Sequence, residues 1–239
     1  SEAYPELYQD SAARKTADKA ITILQGRCVG GSTTVNWTSS FRTPADTLQY
    51  WRTHFGLSEM SEAALSPWFA QAERRLGIDA WTAAPNENNE LLRRGASRLG
   101  IPVAAIRRNV KACWNLGSCG MGCPTNAKQS MLVTTIPAAL DKGARLLVET
   151  QARAFALDAA DRITALHCVA VRSNGEPMPL QATRIMARHY VVAGGAINSP
   201  ALLLRSKLPD PHARMGRRTF LHPVTISAAI FDHPVEGWN

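Results

Sequence analysis

The sequence predicts an α/β fold combined with a second layer that is mostly helical and rich in loops. Two features of the last third of the chain lead to this prediction. Segments 162–172 and 178–187 alternate apolar and polar residues on either side of Asn174-Gly175, which is the pattern of an antiparallel hairpin. The short apolar segment 189–193 precedes an apolar helical segment, 197–205, and is typical of a strand buried in a parallel sheet. The hairpin is therefore expected as an insertion among strand–helix units.

Helices are expected before these strands, because apolar residues recur there with helical spacing. Local signals mark some of their ends: Ser61 is an N-cap, Gly77 is a C-terminal glycine, and Pro67 indicates a break or a late start. The expected helical ranges are 45–54, 62–76, 86–99 and 134–142. A strand is expected at 144–150, and the cysteine-bearing segment 101–130 is expected to be irregular.

Composition and charge narrow the class of protein. The 239 residues carry a formal net charge of +8, and 45% of them are hydrophobic, as in an ordinary globular protein. No apolar run approaches the ~20 residues of a membrane span, so none is expected. The basic residues are dispersed without interleaved aromatic residues, which argues against a nucleic-acid partner. An anionic cofactor, or an acidic remainder of the protein outside this sequence, accounts for the positive charge. No leader and no initiator Met are visible, so the natural N-terminus is expected upstream. The compartment is left unknown, with the cytoplasm favoured over the periplasm.

The candidate binding segment is the glycine-rich run between residues 26 and 38. Gly30 and Gly31 free the backbone to adopt positive φ and to approach a ligand closely. Ser32, Thr33 and Asn36 add hydrogen-bonding groups beside that backbone. The pattern is typical of a ligand-binding loop, and a plain tight turn with a capping Asn is the alternative.

Two longer stretches resemble signatures of the glucose–methanol–choline (GMC) family of FAD-dependent oxidoreductases. The first is the run from Gly26 to Pro44, and the second is Val191-Val192-Ala193-Gly194-Gly195-Ala196-Ile197-Asn198-Ser199-Pro200 with the following residues to Ser206. They occur in the family's order and at roughly the expected distance. The resemblance implies part of an FAD-binding, Rossmann-like domain with an inserted β-hairpin, and part of a helical, loop-rich substrate domain. The implied division is 1–145, 146–222 and 223–239, the last being the start of the substrate domain.

The resemblance also implies which residues contact FAD. Those carried over from the first signature are Gly26, Arg27, Val29, Gly30, Gly31, Ser32, Thr33, Asn36, Trp37 and Thr38, with Asn36 near the isoalloxazine ring. Those carried over elsewhere are Gly194, Gly195 and Ala196 at the diphosphate, Ala152 at the adenine, and His222 in a Gly-x-x-x-x-x-His-Pro stretch. Each has a structural alternative: close helix–strand packing for the glycines, and a purely structural role for His222.

The cysteines support two interpretations. Cys113, Cys119 and Cys123 lie within eleven residues, which on spacing alone suggests a zinc or iron–sulfur site. Their spacing differs from the bacterial iron–sulfur pattern, and no nearby His completes a set of ligands. The segment resembles a cysteine-rich stretch of some bacterial GMC proteins, which implies a structured loop over the flavin, with or without a disulfide, and no metal. Cys28 and Cys168 are expected at buried apolar positions.

The function implied is oxidation of the CH–OH group of an alcohol or sugar to a carbonyl, with hydride transfer to FAD and an unknown electron acceptor. Two family features are absent, namely an opening G-x-G-x-x-G and a C-terminal His–Asn or His–His pair, so we expect an internal fragment and assign no catalytic residue. A cysteine-ligated metal or iron–sulfur electron-transfer module and a non-catalytic flavin-binding fragment are the alternatives.

Overall fold

The computed structural model describes residues 2–222, 224 and 226–237. These residues fall into two compact units, one formed by the described residues of 1–145 and 230–239 and the other by those of 146–229. Residues 223, 225, 238 and 239, which belong to the predicted segment 223–239, lie outside the described residues. In that segment, Glu236 lies in the first unit, where its backbone N–H donates to the Glu87 carboxylate at 2.9 Å. The division into 1–145, 146–222 and 223–239 stays a prediction.

Helices and short turns make up most of the regular structure in the first unit. The helices are α1 (Ala3–Leu7), α2 (Ala45–Phe55), α3 (Glu62–Leu76), α4 (Glu87–Arg98) and α5 (Thr135–Leu140). Two very short strands, β1 (Ile78–Asp79) and β2 (Arg108–Asn109), pair antiparallel. Three 3-10 turns cover Gln9–Ala12, Gly31–Thr34 and Cys119–Met121. The predictions of α2, α3 and α4 are confirmed to within one residue at each end, and α5 is shorter than predicted.

The end signals of α3 act as the sequence indicates, with one exception. The Ser61 hydroxyl accepts from the Ala64 N–H at 3.1 Å, and Gly77 ends the helix with φ +57°. The predicted break or late start at Pro67 is wrong, since the helix runs unbroken from Glu62 to Leu76. A proline at this place removes one intrahelical hydrogen bond, and the capped helix tolerates that loss.

The second unit is a three-stranded antiparallel sheet with one helix against its edge. Its strands are β3 (Thr150–Leu157), β4 (Ile163–Val171) and β5 (Pro177–Ile185), in the order β3-β4-β5, and α6 (Gly195–Arg205) packs on β3. The predicted hairpin is confirmed: β4 pairs with β5, and Gly175 has a φ of +86° in the turn. Phe155, Ala165, Cys168 and Leu202 form its buried core.

Two strand predictions are wrong. The segment 144–150 is not a strand; only Thr150 belongs to one, and Leu147 and Val148 are more than half exposed. Pairing explains the difference, because the ladder begins where Thr150 lies opposite Ala170 of β4. The segment 189–193 is likewise not a strand, and Val191 is almost fully exposed. A buried parallel strand needs neighbouring strands, and none of the described residues pairs with this segment.

Candidate functional site

The glycine-rich loop of the first unit, residues 26–38, leaves a short bridge and turns sharply. Gly26 is bridged antiparallel to Tyr8, and the Arg27 N–H donates to the Leu7 carbonyl at 2.7 Å. Gly30 and Gly31 then adopt φ values of +89° and +58°, which lead into the 3-10 turn Gly31–Thr34. The sequence expectation of positive φ at these two glycines is confirmed.

The three glycines of the loop differ in how much room a side chain would have at each position. A Cβ on Gly26 would lie 2.8 Å from the backbone of Gly31 and Ser32, so the loop closes on itself only without a side chain there. A Cβ on Gly30 would lie 2.5 Å from Thr34 Oγ1 and 2.9 Å from the Leu132 nitrogen. A Cβ on Gly31 would meet nothing within 4 Å, so the backbone of Gly31 borders open space.

The hydroxyl groups of the loop largely hold the loop itself. Gly26 N–H donates to Ser32 Oγ at 3.0 Å. Thr33 Oγ1 donates to the Gly30 carbonyl at 2.6 Å and accepts from the Met131 N–H at 3.0 Å. Because Thr33 Oγ1 is used as both donor and acceptor, it fixes the turn, whereas the Ser32 hydroxyl keeps its own proton for another partner.

The outward face of the loop consists of Gly31, Ser32, Asn36 and Trp37. Ser32 and Asn36 are exposed, and Trp37 is 63% exposed. Asn36 Oδ1 accepts from the Thr38 N–H at 3.3 Å, and the described residues offer no acceptor to its Nδ2. Open backbone, a free hydroxyl proton, an amide donor and a large aromatic face suit a planar ring system with carbonyl acceptors. These residues therefore fit the expected isoalloxazine ring.

Two cations and a tyrosine fasten this loop to the cysteine-bearing segment. Lys128 is 2% exposed, and its ammonium donates to the carbonyls of Thr34, Asn36 and Cys119 at 2.7, 2.8 and 2.5 Å. Burial is the largest cause that lowers the pKa of Lys128, and nearby thiols oppose it. The sequence analysis missed this residue, because a single Lys in an irregular segment carries no signal of its own.

Arg108, in β2, makes the second link. Its Nε donates to Thr38 Oγ1 at 2.7 Å, and its Nη2 reaches the Trp37 carbonyl at 3.3 Å and Cys119 Sγ at 3.4 Å. The guanidinium also lies 4.5 Å from the ring centroid of Trp81. Thr38 itself is 1% exposed with φ +67°, so its hydroxyl is consumed inside the protein and its role is to anchor the loop.

Tyr8 makes the third link, since its hydroxyl donates to the Gly120 carbonyl at 2.5 Å. Burial is the main reason that the pKa of Tyr8 is raised. Beside these links lies a cleft of about 450 Å³, whose lining includes Thr34, Cys123, Lys128 and Ser130.

The three clustered cysteines line a small pocket of about 150 Å³ together with Trp37, and all three thiols are free. Burial would raise the pKa of Cys123, but hydrogen bonds with Thr125 and the Lys128 N–H outweigh it, so that this pKa is lowered. Within the described part of the chain, no group of three His, Cys, Asp or Glu side chains is placed to hold a metal ion. Lys128 and Arg108 hold the cysteine segment against the glycine-rich loop, and the expectation of a structured loop without metal stays a prediction.

The other two cysteines differ from each other. Cys168 is buried in β4, which confirms the expectation for it. Cys28 is only partly buried, so the expectation of a buried position is wrong for this residue. Burial is nevertheless the main cause of its raised pKa.

The remaining site residues lie in the second unit. Ala152 is opposite Cys168 in the sheet, next to a β-bulge at Arg153. Gly194 is the N-cap of α6, and Gly195, with φ +80°, and Ala196 form its first turn. His222 is exposed. The structure thus brings the first-signature residues together and, separately, places Ala152 and the start of α6 on elements that pack together; their contacts with FAD stay a prediction.

Every helix among the described residues is too short or too polar to span a lipid bilayer.

Comparisons with known proteins show which sequences this chain resembles. The model of the family described as GMC oxidoreductase matches residues 4–224. An uncharacterised GMC-type oxidoreductase of Sinorhizobium fredii is 31% identical over 91% of this chain and 42% of its own length. Another from Mycobacterium tuberculosis is 33% identical over 99% of this chain and 36% of its own length.

A long-chain-alcohol oxidase of Arabidopsis thaliana is 30% identical over 95% of this chain and 30% of its own length. This chain therefore spans well under half the length of these relatives. The matches nevertheless cover nearly all of the chain, including both signature stretches and the cysteine segment. The chain belongs to the GMC oxidoreductase family.

Proposed function

We propose that this protein oxidises the CH–OH group of an alcohol or sugar to a carbonyl, with FAD as the acceptor of the hydride. The observation that carries the proposal is the outward face of loop 26–38, on which Gly31, Ser32, Asn36 and Trp37 present open backbone, donors and a ring. FAD is the cofactor of this family, and when bound it supplies a two-electron acceptor for the substrate.

The residues of this chain bind and orient the cofactor in this proposal. Asn36, whose Nδ2 has no acceptor among the described residues, and the exposed Trp37 would hold the flavin ring. Gly194, Gly195 and Ala196, at the start of α6, would hold the diphosphate, since helix N-termini favour anions. Ala152 would contact the adenine, and His222 would lie on the cofactor side of the site. No residue of this chain is assigned to remove the hydroxyl proton.

Two relatives that are oxidases support the reaction type. One relative is a long-chain-alcohol oxidase, and another is the 6'''-hydroxyparomomycin C oxidase of Streptomyces lividus. The proposal therefore includes both alcohols and sugars, leaves the electron acceptor open, and includes no nucleic acid. A cytoplasmic location is part of the proposal and is supported by five free thiols.

The test is anaerobic reduction of the flavin in the purified full-length protein. A panel with a long-chain primary alcohol, a short alcohol and an aldose is mixed with the protein, and the absorbance at about 450 nm is followed. We expect at least one compound to bleach this band and to yield its carbonyl product. A flavin-containing protein that no alcohol or sugar in a broad panel reduces would contradict the proposal.

A pair of variants tests the role of the loop. Asn36→Ala is expected to weaken FAD binding by about 10-fold, the change for loss of one hydrogen bond to a ligand. Asn89→Ala, which makes the same substitution on the exposed surface of α4 in the same unit, is the control and is expected to leave FAD affinity unchanged. Equal affinities for both variants would remove Asn36 from the binding site.

A further inference from the structure

Lys128 is a buried charge that a cofactor or substrate does not reach directly. Its side chain is 2% exposed, and an ammonium group has three protons. All three are used on backbone carbonyls, those of Thr34, Asn36 and Cys119. With no proton left to donate, Lys128 acts on any ligand only through the backbone that it holds.

The environment of this ammonium is unusual for a buried cation. Among the described residues, no carboxylate forms an ion pair with Lys128. The charged side chain that affects the pKa of Lys128 is Arg108, which is also positive and lowers it. Cys28, Cys119 and Cys123 are the titratable groups around it. Burying an unpaired charge is strongly unfavourable unless hydrogen bonds replace the water that it loses. The three carbonyls are the direct hydrogen-bond acceptors that offset that cost, and the nearby thiols add a smaller favourable effect.

The three carbonyls belong to two segments that no regular sheet or helix joins. Thr34 and Asn36 lie at the end of the glycine-rich loop, and Cys119 lies in the cysteine segment. Fixing the Asn36 carbonyl restrains the peptide that carries the exposed Asn36 side chain. Arg108 also joins the two segments, because its Nη2 donates to the carbonyl of Trp37, the next residue of the loop, and to Cys119 Sγ. The hydrogen bonds within the loop shape its turn, and Lys128 and Arg108 hold the following backbone, Thr34 to Trp37, against the cysteine segment.

We propose that Lys128 is a positioning residue for the flavin, whose ammonium clamps the backbone of Thr34 and Asn36 to the cysteine segment and so fixes the loop that presents Asn36 and Trp37. The inference rests on the proposed function, because it assumes that the outward face of this loop contacts FAD. In this proposal the cysteine segment is the support against which the glycine-rich loop is held.

The test uses two variants of the full-length protein. Lys128→Met keeps the apolar stem and removes the ammonium, and Lys128→Ala leaves room for a small amine beside the cleft that Lys128 lines. The Kd for FAD is measured by adding the cofactor to apoprotein, and the visible circular dichroism of bound flavin reports its surroundings. Lys111→Met, an exposed lysine of the same segment, is the control.

The proposal predicts that both variants bind FAD about 10- to 100-fold more weakly, the range for loss of a hydrogen bond to a charged group. The flavin dichroism is expected to change, and ethylammonium, but not tetramethylammonium, to restore affinity and dichroism in Lys128→Ala. Wild-type affinity and dichroism in both variants would overturn the proposal. So would variants that fail to fold with and without ethylammonium, since Lys128 would then support the whole unit.

The result is separable from that of the proposed function. If the wild-type protein binds FAD but no alcohol reduces it, the proposed reaction fails while the comparison of FAD affinities still decides the role of Lys128. If the wild-type protein binds no FAD, both proposals fail together.

Discussion

Replacement of Gly30 by Ala tests whether the glycine-rich loop is shaped by close packing. The φ of +89° costs an L-residue about 1–2 kcal/mol. The new Cβ would lie 2.5 Å from Thr34 Oγ1 and 2.9 Å from the Leu132 nitrogen, and overpacking of this kind costs about 1–3 kcal/mol. We therefore expect Gly30→Ala to lower the free energy of unfolding by about 2–5 kcal/mol.

Gly31→Ala is the matched control for this prediction. Gly31 also has positive φ, +58°, but its Cβ would meet nothing within 4 Å. Both substitutions remove similar freedom from the unfolded chain, so their difference isolates the steric overlap at about 1–3 kcal/mol. Urea unfolding followed by tryptophan fluorescence measures it in the first unit, because all six Trp residues lie outside 146–229. Equal destabilisation by the two variants would refute the packing argument.

Two further predictions concern one residue in each unit. Ser206→Ala removes the hydroxyl that accepts from the buried Phe155 N–H at 2.8 Å, and we expect a loss of about 1–3 kcal/mol together with faster hydrogen exchange of that amide. Glu73, whose pKa is lowered to about 2 chiefly by its hydrogen bond with Arg42, is expected to lose its stabilising effect as the pH falls from about 4.5 towards 2. In that range the unfolded state binds more protons, so acidification should destabilise Glu73→Gln less than the wild type.

Each of these predictions has its own control. Ser173→Ala, an exposed serine in the β4–β5 turn, should leave the second unit unchanged, and protection of the Phe155 amide in Ser206→Ala would contradict the role of the hydroxyl. Glu59→Gln removes an exposed carboxylate of the first unit. If Glu59→Gln and Glu73→Gln show the same dependence of stability on pH, the ion pairs with Arg42 and Arg107 do not matter for acid stability.

Local signals predict the helices because the groups that end a helix lie within a turn of it. Ser61 and Gly77 are sufficient to bound α3, and Asn174-Gly175 is sufficient to place the hairpin turn. The strands at 144–150 and 189–193 were predicted wrongly because an apolar run does not reveal its partner. The register of β3 depends on residues of β4, such as Ala170, that are about 20 positions away.

For the site too, properties of single residues can be predicted from the sequence, whereas contacts between distant residues cannot. The composition of residues 26–38 predicts a loop with positive φ, because glycine freedom is a property of single residues. It does not predict that Thr33 and Thr38 face inward, since their hydroxyl partners, Met131 and Arg108, lie about 100 and 70 residues away. Lys128 was missed for the same reason, because its three carbonyl partners come together only in the folded chain.

The central claim is that this chain is part of a flavoenzyme whose cysteine segment is structural. The visible spectrum of the purified full-length protein, before and after acid denaturation, combined with metal analysis, tests it most directly. We predict a band at about 450 nm, FAD released at about one per chain, and no bound metal. Iron or zinc at about one per chain without flavin would contradict the claim and assign Cys113, Cys119 and Cys123 as metal ligands.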